Sequence, residues 1–306
     1  MPTIRQLRYL VALSEELHFR RAAEKVHVTQ PTLSMQLQEL ERRLDAALIE
    51  RGGKAVTLTP LGREIAARAR RVLGEVQDIV DLATSSRHGL HGTIRLGVPP
   101  TLGPYLLPQI VPSLHEAHPS LKLYVKEDRP SELQMQLQAG AYDLIISPLP
   151  INHADLEVER VFLEPLLVVA ARDHPLAANE TISRNDLVGQ SVLAIERGHF
   201  LHEQVRSICD EFGATLLRDY EGTSLDTLRQ MVGMGMGLAF LPALYVRSEI
   251  GDRGEVAVMR LGDRTLNRQI GMAWRKRAAQ AAQFRELAEL VRTLVGRRLP
   301  EVNVIH

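Results

Sequence analysis

Residues 22–44 read AAEKVHVTQPTLSMQLQELERRL, and this stretch decides what the amino-terminal part of the chain is. Ala22, Ala23 and Val26 share one face of a short helix. Thr29 then caps a second helix, with Pro31 in the first turn, where a missing N–H costs nothing. In that second helix Leu33, Leu37, Leu40 and Leu44 form one inward stripe, while Gln30, Thr32, Met35, Gln36 and Glu39 point elsewhere. Two short helices joined by a tight turn, the second offering amides and hydroxyls near its start, meet the geometric needs of a major-groove reader.

Upstream, Leu7, Leu10 and Val11 mark a further short helix. Downstream, Leu48–Arg51, Gly52–Gly53 and Lys54–Leu58 read as two strands joined by a two-residue glycine turn, a β-wing with Arg51 and Lys54 placed to touch phosphates. Residues 1–71 carry 13 Lys/Arg against 8 Asp/Glu, a net of +5. The whole chain balances at 37 of each, so the remainder is −5 and the basic character is confined to the amino-terminal module.

The stretches LRYLVALSEELHFRRAAEKVHVTQPTLSMQLQELERRL (7–44) and LIERGGKAVTLTPLG (48–62) resemble the DNA-binding domain of the bacterial LysR-type transcriptional regulators. The resemblance implies a winged helix-turn-helix over residues 1–59, with Gln30, Pro31, Thr32 and Ser34 beginning the recognition helix. It makes Gln30, Thr32 and Gln36 candidates for base readout and Arg20, Arg51 and Lys54 candidates for phosphate contact. Double-stranded DNA is the implied partner, and RNA polymerase is a further candidate partner.

Thr59–Pro60 starts a long helix, and no further proline occurs before Pro99. Ile65, Ala69, Val72, Val76, Ile79 and Ala83 follow an a/d pattern, and Arg63, Arg68, Arg70 and Arg71 line the outer face. Residues 60–85 are therefore expected to pair two chains into a dimer that presents two recognition helices, with a homotetramer as the fuller assembly. SSRHGLHG (85–92) reads as a hinge.

From Thr93 onward short apolar strands alternate with helical stretches, an α/β pattern with a mainly parallel sheet. The expected architecture is a two-lobed sensor over 93–306 like periplasmic binding proteins, with lobe I near 93–164 and 269–306 and lobe II near 165–268. Ligands of such sheets bind beyond the carboxyl ends of strands, where helix amino termini offer N–H groups. That rule nominates Thr101, Leu102 and Gly103 after strand TIRLGV, Ser147 after DLII, and Thr223 with Ser224 after LLRDYE. LysR-type sensors bind small effectors in this inter-lobe cleft, which the resemblance extends to His199 and Phe200.

The stretches GPYLLPQIVPSLHEAHP (103–119), ERGHFLHEQVRSICDEFGA (196–214) and TSLDTLRQMVGMGMGLAFLPALYV (223–246) resemble, more narrowly, the OxyR-like, peroxide-sensing branch of that family. In that branch a reactive cysteine follows the histidine of a Gly-His pair and a resolving cysteine lies nine residues later. Here Phe200 follows His199, and Cys209 is the single cysteine of the chain. A phenyl ring forms no thiolate, so an intramolecular disulfide switch cannot operate. The chain is either a natural relative with another signal or one engineered at position 200. Cys209 lies on a stripe with Leu201, Val205, Ile208 and Phe212, where a small buried hydrophobe is favoured over a redox role. His199, His202 and Glu203 are too few to suggest a metal site. GMGMG (233–237) lacks dinucleotide-fingerprint spacing and reads as a helix end.

The 306 residues allow about two domains with real cores, and 45% apolar against 24% charged residues excludes disorder as the main state. No uncharged apolar run of about 18 residues and no signal-peptide core appear, so a cytosolic protein with no membrane partner is expected. No nucleophile, base and orienter set is evident, and no cofactor is expected. A DNA-binding regulator controlled by a small effector is thus preferred over a thiol regulator using Cys209 alone, and over a two-lobed solute-binding or catalytic domain.

Overall fold

The computed structural model describes residues 1–50, 56–84, 90, 92–218, 222, 224–251, 254–262 and 264–305. The chain divides into two compact units, residues 1–87 with 138–141, and residues 88–137 with 142–306.

The first unit contains α1 (Ile4–Glu16), α2 (Phe19–Lys25), α3 (Gln30–Leu44), β1 (Ile49–Glu50), β2 (Thr57–Leu58) and α4 (Pro60–Thr84). Its helix starts follow from local chemistry. Thr3 and Gln6 form a reciprocal capping box on α1, and the Thr29 hydroxyl accepts from Thr32 N in α3. Asp45 ends α3 in the left-handed conformation. Leu10, Leu13, Ala22, Leu33, Leu37, Leu40 and Leu48 close one core. The Glu41 carboxylate accepts from Leu48 N at 2.8 Å and Ile49 N at 3.0 Å, which anchors the start of the wing.

Two expectations are corrected here. The wing pairs Glu50 with Thr57, whereas a turn on Gly52–Gly53 would have paired Glu50 with Ala55. Residues 51–55, including Arg51 and Lys54, lie outside the described residues. The long apolar seam of α4 is also divided. Ile65 is half-buried and Ala69 buried within this unit, while Val72 is 42% and Ile79 67% exposed, so only the later half is open to a second chain. The Ala83 side chain and most of the 85–92 hinge lie outside the described residues.

The second unit continues with β3 (Gly92–Val98), α5 (Gly103–Ala117), β4 (Leu121–Glu127), α6 (Pro130–Gln138), β5 (Leu144–Pro148), β6 (Leu156–Ala171), β7 (Thr181–Ile182) and β8 (Ser191–Leu193). It then runs through α7 (Phe200–Phe212), β9 (Thr215–Leu216), α8 (Leu225–Gly233), β10 (Leu238–Pro242), α9 (Ala243–Glu249), β11 (Val256–Leu261), β12 (Asn267–Arg275), α10 (Ala281–Arg298) and β13 (Asn303–Val304). The path through the sheet is β4-β3-β5-β12-β6-β10-β8-β9, with β11 and β13 also on β6.

The sheet is mixed. β3 runs parallel to β4 and β5, but β12 is antiparallel to both β5 and β6. The 16-residue β6 serves both lobes: Leu156–Pro165 pair with β12, and Leu166–Ala171 with β10 and β11. Each lobe has its own aliphatic core, one around Leu96, Leu106, Phe162 and Trp274, the other around Val168, Val192, Val205 and Phe240.

Candidate functional site

In the amino-terminal unit, α3 separates buried from presented side chains. Gln30 and Pro31 are exposed, Thr32 and Ser34 half-buried, and Met35 58% exposed. The hydroxyls of Thr29 and Thr32 meet at 2.8 Å, so Thr32 is partly engaged in the helix cap. Gln36 is half-buried and partly engaged. Its Oε1 accepts from Nε2 of Gln6, a residue only 1% exposed, at 3.3 Å. Gln36 thus sits on the flank of α3 facing α1, and its amide ties the two helices together. Arg20 is exposed and pairs with Glu24 at 3.0 Å. Outside α3, Gln6 is the residue that pattern reading missed, because a polar side chain on an apolar face carries no periodic signal.

In the sensor, the polypeptide crosses between lobes at Glu164–Leu166 and at Leu266–Arg268, where Leu166 N donates to Leu266 O at 2.8 Å. A buried polar knot occupies this crossing. Arg268 Nε donates to Glu164 Oε2 at 2.7 Å, with the two side chains 3% and 0% exposed. The other ends of the guanidinium reach Thr101 Oγ1 and Thr101 O, and Glu164 Oε1 accepts from Leu244 N at 3.0 Å.

That knot engages the first loop. The Thr101 hydroxyl is already held by Arg268, and the amides of Leu102 and Gly103 both donate to Pro99 O at 2.9 Å. This turn therefore braces the crossing, while the Thr101 hydroxyl, which accepts from Arg268, keeps its own proton to donate. Ser224 caps α8, accepting from Thr227 N at 3.3 Å, and Thr223 lies outside the described residues. Ser147 lies inside β5 rather than after it.

Beside the knot is a cavity of about 400 Å³. Pro148, Leu149 and Pro150 line it from lobe I, Phe200, Leu201 and Gln204 from α7 in lobe II, and Asn267–Gln269 from the crossing. Three buried polar atoms in or next to this lining find no hydrogen-bond partner among the described residues: Ser147 Oγ, His199 Nε2 and Asn267 Oδ1. Such atoms are costly to leave unmade. His199 is 2% exposed, and its burial lowers its pKa below the ordinary histidine value; nearby Glu196 opposes this, while Arg129 and His202 add to it. Arg129 of lobe I also forms an ion pair with Glu196 of lobe II. On another side, Tyr105 of α5 packs edge-on against Tyr245 of α9, ring centres 5.2 Å apart.

Cys209 is 1% exposed, and burial pushes its thiol up to about 11. A thiol so placed favours the reading of Cys209 as a small buried hydrophobe. His202 Nδ1 meets the Ile195 carbonyl at 2.7 Å. In GMGMG, Gly237 lies so close to Ser191 that a Cβ there would come 2.9 Å from its carbonyl oxygen, which explains the glycine by packing.

Residues 4–63 match the family described as "Bacterial regulatory helix-turn-helix protein, lysR family", and residues 87–296 match "LysR substrate binding domain". The chain is 40% identical over 290 residues to the DNA-binding transcriptional dual regulator OxyR of Escherichia coli, covering 94% of each. It is 30% identical over 296 residues to the HTH-type transcriptional regulator EstR of Acinetobacter baylyi, covering 97% of this chain and 98% of that one. Among solved structures, a full-length OxyR variant from Pseudomonas aeruginosa matches with a TM-score of 0.78 at 36% identity, covering 95% of this chain and 94% of that one. A peroxide-bound OxyR mutant from Corynebacterium glutamicum matches with a TM-score of 0.68 at 29% identity, covering 98% and 95%. The helix-turn-helix, the two-lobed sensor and these likenesses together make the chain a LysR-type DNA-binding transcriptional regulator of the OxyR-like branch, one that has phenylalanine at position 200 and Cys209 as its single cysteine.

Proposed function

We propose that a small molecule held in the cavity beside Phe200 controls this regulator by favouring one arrangement of the two lobes. The observation that carries the reading is an apolar wall, Pro148, Pro150 and Phe200, that shares the cavity lining with Asn267, whose buried Oδ1 has no hydrogen-bond partner among the described residues. An effector shifts the lobe equilibrium only by its difference in affinity for the two states. On the DNA side, α3 enters the major groove with Gln30, Thr32 and Ser34 near base edges, and Arg20, Arg51 and Lys54 supply phosphate contacts. The exposed Val72 and Ile79 of α4 supply the seam of a homodimer, from which a tetramer is built. A cytosolic location and contact with RNA polymerase complete the reading.

The test uses full-length protein purified from its own host, denatured, and its extract examined by mass spectrometry. One small molecule at near-stoichiometric yield is expected, and Phe200→Trp, which fills the cavity, should abolish its recovery. Equal empty extracts from both proteins, with operator binding unaffected by host metabolite extract, would overturn effector control. For the DNA side, Gln30→Ala should lower the ratio of operator to random-duplex affinity, measured by fluorescence anisotropy at fixed salt.

A further inference from the structure

α3 buries Leu33, Leu37 and Leu40 and leaves Pro31, Met35, Gln38 and Arg42 exposed. At 100° per residue, Met35 stands about 170° from the middle of the buried stripe, the outermost direction the helix has. It is 58% exposed, and no other large hydrophobic residue of α3 is exposed. Its neighbours on that face are polar: Gln38 one turn on, and Glu39, whose carboxylate is held by Arg42 and Arg43 at 2.7 Å and pushed down to about 2. An apolar side chain at the crest of a polar helix gains nothing from water. It is placed to meet an apolar group on whatever the crest contacts.

The major-groove edge of duplex DNA displays one apolar group, the thymine 5-methyl, among nitrogen and oxygen donors and acceptors. The net +5 of residues 1–71 favours an anionic partner on this unit. We propose that Met35 reads a thymine methyl, fixing a T·A pair at one position of each half-site. The proposal rests on the reading that α3 lies in the major groove. Methionine suits the task because its unbranched thioether adapts to a methyl group without needing one rotamer.

The experiment selects a tight-binding duplex from a randomised pool with the full-length wild-type protein. Each thymine of that duplex is then replaced singly by deoxyuridine, which removes the methyl and nothing else. Binding should weaken about fourfold at one position per half-site, the worth of one buried methyl group. Met35→Ala should bind the thymine and deoxyuridine duplexes equally there, and Met35→Leu should keep part of the difference. Placing 5-methylcytosine rather than cytosine at that position should recover affinity for wild type and not for Met35→Ala.

If wild type and Met35→Ala respond alike to every deoxyuridine substitution, the assignment of Met35 is overturned while the groove reading stands. If the wild-type protein does not distinguish selected from random duplex, the groove reading itself falls. Dissociation of the oligomer by Met35→Ala would show that a second copy covers the side chain, and would also overturn the proposal.

Discussion

Glu164 and Arg268 are shut away from water at the point where the chain passes between lobes, and each satisfies the other. Removing one partner strands a buried charge. Glu164→Gln should therefore cost roughly 3–5 kcal/mol, read as a lowered urea midpoint, whereas a Glu164→Leu/Arg268→Met double variant should cost less than the single one. A single variant within 1 kcal/mol of wild type would mean that water reaches the pair. His199 carries a different prediction. Burial depresses its pKa below the 6.5 of an exposed histidine, so the unfolded chain binds the proton more readily than the folded one. Its contribution to stability is full above about 6.5 and is lost as pH falls through the folded-state value. Denaturation of wild type at pH 7.5 and 5.5 should show a loss on acidification, and His199→Gln should reduce that loss.

Helix boundaries and the recognition turn were legible at the level of elements, because caps and the leucine stripe of α3 are local signals. Thr29, Pro31, Thr59 and Pro60 sit where their chemistry suggests. The register of the wing was not legible: two glycines invite a tight turn, but the pairing is set by Leu58 burying into the core beside Ile49. The bracing of the Thr101–Gly103 turn was equally hidden, since it depends on Arg268, 167 residues away. The contact between Gln36 and Gln6 is hidden for the same reason, the partner lying on α1. Gly62 shows what close approach demands of an element: a Cβ there would lie 2.1 Å from the Leu48 carbonyl oxygen. Gly62→Ala should cost roughly 1–3 kcal/mol through forced movement of the wing strand, seen as a lower melting temperature of the amino-terminal unit with the sensor transition unchanged.

For the whole molecule, assembly is the property that the separate units leave open. Val72 and Ile79 are exposed on α4 after its first half is spent against α1, so the pairing surface is shorter than the six-residue seam suggests. A Val72→Asp/Ile79→Asp variant should shift light-scattering mass toward the monomer and weaken operator binding more than binding of one isolated half-site. An unchanged mass would place the interface elsewhere. Within the sensor, Glu164–Leu166 and Leu266–Arg268 cross side by side and are hydrogen-bonded to each other. Two joints so close together would act, in the proposed lobe motion, as a single axle that permits swing more readily than sliding. On the proposed reading, a molecule wedged at the rim of that axle, where Phe200 stands, would work through a short lever, and a shift of an ångström at the wedge would reach the far tips of both lobes as a larger arc.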